Sequence, residues 1–225
     1  MKSIQMPWML VVAVLFSAGC QNTIEKAGRN AGYSAYELVG IEKRDLLKRR
    51  VNTARDEQKE ATESYQSALD RMKSMYNFDG GRLEKEYRAL NSAYEESERK
   101  SRDVRLSVHN VETVAGDLFA EWEKEIKDIQ TASLRAKSQK TLADTKVRYE
   151  NLHRTLKAAE SRMDPILAKL KDQVLYLKHN LNAKAIASLK GEATTIQNDI
   201  SSLIAQMQKS IDAADKFIKE MENES

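Results

Sequence analysis

From Leu47 onward, apolar residues recur at alternating intervals of three and four, the spacing of a helix that hides one stripe from water. The first stripe runs Leu47, Val51, Ala54, Gln58, Ala61, Tyr65, Ala68, Met72 and Met75, with Gln58 its one polar member. The second runs from Leu83 through Leu90, Val104, Val108 and Val111 to Trp122, with Ser97 and Ser101 in its middle. The third runs from Leu142 through Tyr149, Leu156 and Met163 to Leu170, and the fourth from Ile186 through Ile196, Leu203, Ser210 and Phe217 to Met221. Four helices follow, at roughly 35–76, 82–131, 134–180 and 183–222.

Local signals set the joints. NFDGG at 77–81 carries two adjacent glycines and reads as a turn. Asn180 and Asn182 form a stop and N-cap pair. The joint near 130–140 has neither glycine nor proline, so it rests on the periodicity alone. Pro165 falls inside the third helix, but the stripe keeps phase across it, which predicts a kink rather than a break, with Asp164 capping the downstream half. The expected fold is all-α: long antiparallel coiled-coil-like helices, arranged either as a four-helix up-down bundle or as an elongated helical rod. Ala54, Ala61 and Ala68 make the first stripe thin. Ser97 and Ser101 are placed to set register at some cost in stability, or to admit a ligand or a partner helix.

The residues before the first stripe follow another pattern. MKSIQMPWMLVVAVLFSAGC has one cation, Lys2, then an apolar run from Met6 to Phe16, then Ser17, Ala18 and Gly19. That is the layout of an export signal. The apolar run, about 11 residues, is too short for the roughly 20 that span a bilayer as a helix. Ala18-Gly19-Cys20 resembles the lipobox of bacterial lipoproteins, with Ser17 where that pattern usually carries an aliphatic residue. The resemblance implies cleavage before Cys20, a diacylglycerol on its thiol and a fatty acyl chain such as palmitate on its amine. The membrane is then a partner through an N-terminal lipid anchor. Gln21 in place of Asp leans toward the outer membrane of a Gram-negative host. The expected organisation is a signal peptide over 1–19, the lipidated cysteine and a flexible tether over 20–34, and one helical domain over 35–222. The tether holds Gly28 and Gly32 and reaches about 45 Å when extended. The expected location is the bacterial cell envelope, facing the periplasm.

Composition narrows the chemistry. Cys20 is the only cysteine, so the helical domain has no disulfide framework, thiolate metal site or cysteine nucleophile. Lys and Arg number 37 against 34 Asp and Glu, and the signs interleave, which argues against a nucleic-acid surface. No GxxxxGK[ST] or GxSxG occurs. His109, His153 and His179 are isolated; Glu150 and His153 make a single Glu-x-x-His at the flank of the third stripe, where a di-iron bundle needs two. No metal, cofactor or catalytic residue is expected. The chain ends Asn223-Glu224-Ser225, without the terminal lysine by which the small murein-bound lipoprotein attaches to peptidoglycan.

Lys43, Arg44, Lys48, Arg49 and Arg50 form the densest basic cluster, near in sequence to Cys20. It is a candidate membrane-proximal or interaction surface, since cations near an anionic leaflet gain about 1 kcal/mol each. The other reading is a solvated face balanced by Glu42, Asp45, Asp56 and Glu57. GIEKRDLLKRRVNTARDEQ (40–58), NFDGGRLEKEY (77–87), VETVAGDLFAEWEKEI (111–126) and NLNAKAIASL (180–189) together resemble proteobacterial lipoproteins classed only as a domain of unknown function. That resemblance brings no established activity. It implies that Lys43, Arg44, Asp45, Arg55 and Asp56 matter. The expected function is non-enzymatic: a lipid-anchored scaffold, spacer or partner-binding module of the envelope, with a protein partner or self-association. The alternative is a binding protein for a small hydrophobic or lipid ligand, held where the Ala and Ser layers pack weakly.

Overall fold

The computed structural model describes residues 43–76 and 83–223. Cys20, the tether, residues 35–42 and the NFDGG turn lie outside the described residues. Four helices account for the rest: α1 (Lys43–Tyr76), α2 (Leu83–Asp128), α3 (Ala132–His179) and α4 (Ala183–Glu222). At 1.5 Å per residue they are roughly 50–70 Å long. α1 packs against α2 and α4, and α3 closes the ring against the same two neighbours. The arrangement is therefore a four-helix bundle rather than a two-helix rod.

Ion pairs between neighbours mark the antiparallel registers. Lys43 reaches Glu121 at 2.7 Å and Lys100 pairs with Glu60, tying α1 to α2. Arg55 reaches Asp215 at 2.9 Å, tying α1 to α4. Arg105 pairs with Asp164 across α2 and α3, and Lys169 with Asp199 across α3 and α4. The diagonal pair α1 and α3 runs parallel, with the Tyr65 hydroxyl donating to the Met163 carbonyl at 3.5 Å and the Tyr76 hydroxyl to Gln173 Oε1.

The periodic stripes are the core. Every stripe residue of α1 from Leu47 to Met75 is fully enclosed, Gln58 included. Leu83, Tyr87, Trp122, Tyr149 and Leu189 are the stripe members left only half-buried. They sit toward the two ends of the bundle, where fewer neighbours cover a side chain. A second row is buried beside each stripe: Leu69 on α1, Val114 on α2, Leu167 on α3 and Ile211 on α4. A helix with two neighbours must bury a wider face than the two positions per heptad of a paired coil.

The joints follow from backbone chemistry. Asn182 Oδ1 accepts the Ala185 N–H at 3.0 Å, satisfying one of the unpaired donors that begin α4. The Asn180 N–H closes α3 onto the Leu177 and Tyr176 carbonyls. Asn182→Ala is expected to cost about 1 kcal/mol, read as a lower urea midpoint. The α2–α3 joint is a short break over 129–131, with Thr131 at the N-cap position but making no side-chain cap bond. α3 runs unbroken through Pro165. Asp164 does not cap its downstream half, as the sequence had suggested; an uninterrupted helix exposes no new N-terminus there, and the carboxylate instead pairs with Arg105 on α2.

Candidate functional site

Three regions carry polar chemistry that the fold brings together. The first is inside. The Tyr65 hydroxyl lies 2.9 Å from Ser101 Oγ, and both residues are fully enclosed. Ser101 and Ser97 also donate to the carbonyls one turn back, Ser97 and Ala93, so the two serines need no external partner. About three turns further along α1, the Tyr76 hydroxyl donates to Gln173 Oε1. These bonds let polar groups occupy core positions without a large penalty. They also place Ala54, Ala61, Ala68, Ser97 and Ser101 in closed interhelical contact, each with no exposed surface.

The second region lies on the α2–α3 face. His153 Nε2 sits 2.7 Å from Glu112 Oε1, and Lys157 Nζ lies 3.7 Å from the same oxygen. The Tyr149 ring stacks on His153 at 5.7 Å and meets the edge of Phe119 at 5.4 Å. Lys146 sits over the Phe119 ring and pairs with Glu123. Glu150, the other half of the Glu-x-x-His spacing, is exposed. Among the described residues no group of three or more His, Cys, Asp or Glu side chains converges in a metal-holding arrangement. Nothing local to either residue marks Glu112 as the partner of His153, because the two are far apart in the chain and meet only when α2 and α3 pair.

The third region is the basic cluster at the start of α1, and the fold divides it. Lys43 turns to Glu121 on α2, and Arg44 donates to the Met221 carbonyl near the end of α4 at 3.1 Å. Lys48 pairs with Asp45 at 2.8 Å, an interaction that holds the Asp45 carboxyl below its usual range. Arg49 is exposed, and Arg50 is partly covered with its Nε buried. The five cations thus serve several faces. Lys43 and Arg44 tie helices together, whereas Lys48 pairs within α1 and Arg49 is exposed. Lys48→Gln with Arg49→Gln is expected to weaken binding of the unlipidated protein to anionic vesicles by about fivefold per charge. Lys43→Gln is expected to act on stability instead. Equal vesicle binding by all variants would remove this surface from consideration.

Residues 32–221 match the family described as "Protein of unknown function (DUF2959)". The chain belongs to that family. No curated protein matches it. The DUF2959 match spans all four helices. Among the described residues of this DUF2959 chain, no helix is long and apolar enough to cross a membrane.

Two adjoining surface grooves lie between α3 and α4 and meet at Lys169. Their volumes are about 220 and 250 Å³, below the several hundred Å³ of a typical small-molecule site. The Lys169–Asp199 pair and the bond from Arg162 to Ser202 cross the larger one, at 2.6 and 2.8 Å.

The enclosed and half-buried tyrosines are expected to make the stability of the DUF2959 bundle fall at alkaline pH. Burial pushes the Tyr65 and Tyr76 hydroxyls well above their ordinary value of 10, and Tyr149 up to about 12, with Glu112 adding to the last. The folded state holds these protons more tightly than the unfolded chain. Their contribution to stability is complete below pH 10 and is lost as pH rises from 10 toward and past 12. Denaturant unfolding across the alkaline range is expected to show falling stability above pH 10. Tyr65→Phe should flatten that fall while costing about 1 kcal/mol at neutral pH through loss of the Ser101 bond.

Proposed function

We propose that this protein is a non-enzymatic, lipid-anchored helical module of the bacterial cell envelope. Cys20 carries the anchor, in the outer membrane facing the periplasm, and the bundle acts as a scaffold, spacer or docking surface for another protein. The observation that carries this reading is the closure of the small-residue layers. Ala54, Ala61, Ala68, Ser97 and Ser101 have no exposed surface. The space that a hydrophobic ligand would need there is taken up by helix-to-helix contact. The outward helix faces bear interleaved charges held in i, i+3 and i, i+4 pairs such as Arg88–Glu84 and Lys140–Asp144, the surface of a solvated rod-shaped body rather than of a reaction centre.

The test is chemical crosslinking in intact cells, followed by membrane fractionation and mass spectrometry. The expected result is recovery in the outer-membrane fraction with one dominant crosslinked protein or a homo-oligomer. A saturable, stoichiometric displacement of a fluorescent fatty-acid probe by the purified protein would replace the scaffold reading with a ligand-binding one.

A further inference from the structure

Gln58 is fully enclosed, yet neither its Oε1 nor its Nε2 has a hydrogen-bond partner. Ser210 on α4 is equally enclosed, and its Oγ also has none. The two orphans share one level of the core. The Arg55–Asp215 pair and the bond from Thr62 Oγ1 to Met207 Sδ, at 3.4 Å, tie α1 to α4 one step on either side of them. The other stripe residues near this level are Val104 and Val108 on α2 and Leu156 on α3, all aliphatic and fully enclosed. Tyr65, Ser97, Ser101 and Thr145 all reach a protein acceptor or donor, and Gln173 accepts from Tyr76 through Oε1 while its Nε2 has no partner. Gln58 differs in that both of its side-chain polar atoms are orphaned.

A buried amide with both ends unsatisfied is costly, and proteins rarely leave one so. A direct Gln58–Ser210 bond would satisfy only one of the amide's two polar atoms. The shared level of the orphans calls for a small group that both donates and accepts. Water fits, because buried waters make two to four bonds to such groups.

We propose that an ordered water molecule occupies this layer, bridging the Gln58 amide and the Ser210 hydroxyl, and that the hydrated layer fixes the register of α1 against α4. The stripe sequence explains the second half. Sliding α4 by one heptad in either direction sets Gln58 against Leu203 or Phe217, and neither offers a hydrogen bond. Sliding by half a heptad offers Met207 or Ala214. Only the observed register sets a hydroxyl beside the amide. A single polar core layer is a known means of selecting one helix pairing over others of similar apolar content.

Water-selective NOE spectroscopy of the folded, isotopically labelled protein tests this. The expected result is a cross-peak from a long-lived water to the Gln58 side-chain amide protons, in contrast to the exposed Gln66. The cross-peak is lost in Ser210→Ala, which removes one of the water's partners and changes packing little. Absence of the cross-peak in the native protein, or its survival in Ser210→Ala, overturns the bridging water. For the register, native α4 is expected to give one set of backbone resonances and Gln58→Leu two. One unshifted set in Gln58→Leu overturns that role.

Discussion

Phe217→Ala is expected to lower the unfolding free energy by about 3–5 kcal/mol. Phe217 is 2% exposed and is among the largest enclosed side chains of α4. The Arg55–Asp215 pair and the Arg44 bond to the Met221 carbonyl bracket it and set it at the level of Val51 on α1. Val51 is also fully enclosed and too small to fill the space a phenyl ring would vacate. The cost is the lost transfer free energy plus a cavity between two long helices. Such helices cannot collapse locally without disturbing the neighbouring layers. A domain of this size is stable by only about 5–15 kcal/mol, so the loss is a large share of the total. Urea denaturation followed by circular dichroism measures it. A midpoint close to the native one would mean that the α1–α4 interface is looser than the observed burial.

Cys20→Ala is expected to release the protein from the membrane fraction almost completely. This rests on the proposed anchor. No described helix can span a bilayer, and the half-buried Lys48 and the exposed Arg49 contribute at most about 1 kcal/mol each at an anionic surface. Two or three acyl chains contribute about 0.8 kcal/mol per buried methylene, which exceeds that by far. Removing the attachment atom should therefore move the protein from the detergent-requiring fraction to the aqueous one, with the helical bundle intact by circular dichroism. Unchanged fractionation of Cys20→Ala would show that the membrane is held by other means and would end the lipoprotein reading.

The polar core positions illustrate how local and long-range information divide. Ser97, Ser101 and Gln58 stand out in the sequence as polar members of apolar stripes. What each does depends on partners elsewhere in the chain. Ser101 meets Tyr65 from another helix, whereas Gln58 meets no protein group. The basic cluster behaves alike. Its five residues lie close together in the chain, but a helix turns each successive residue by about 100°. Lys43 and Arg44 therefore point to different neighbours, and the apparent patch separates into interhelical ties and a smaller exposed remainder.

The sequence by itself determined the helices, their joints near Asn180 and Asn182, and the residues that line the core, because a 3-4 alternation records which side of a helix avoids water. It also carried the family likeness, which the match over 32–221 bears out. It left open whether the helices form a rod or a bundle, since one stripe satisfies either. The second buried row, Leu69, Val114, Leu167 and Ile211, was visible as apolar residues flanking the stripes. Only the ring of four helices shows why they are needed, because each helix must cover two neighbours. Tertiary packing alone decided the pairings of Glu112 with His153 and Arg105 with Asp164. Contacts between distant segments depend on register, and a repeating stripe fits several registers almost equally well until specific side chains choose one.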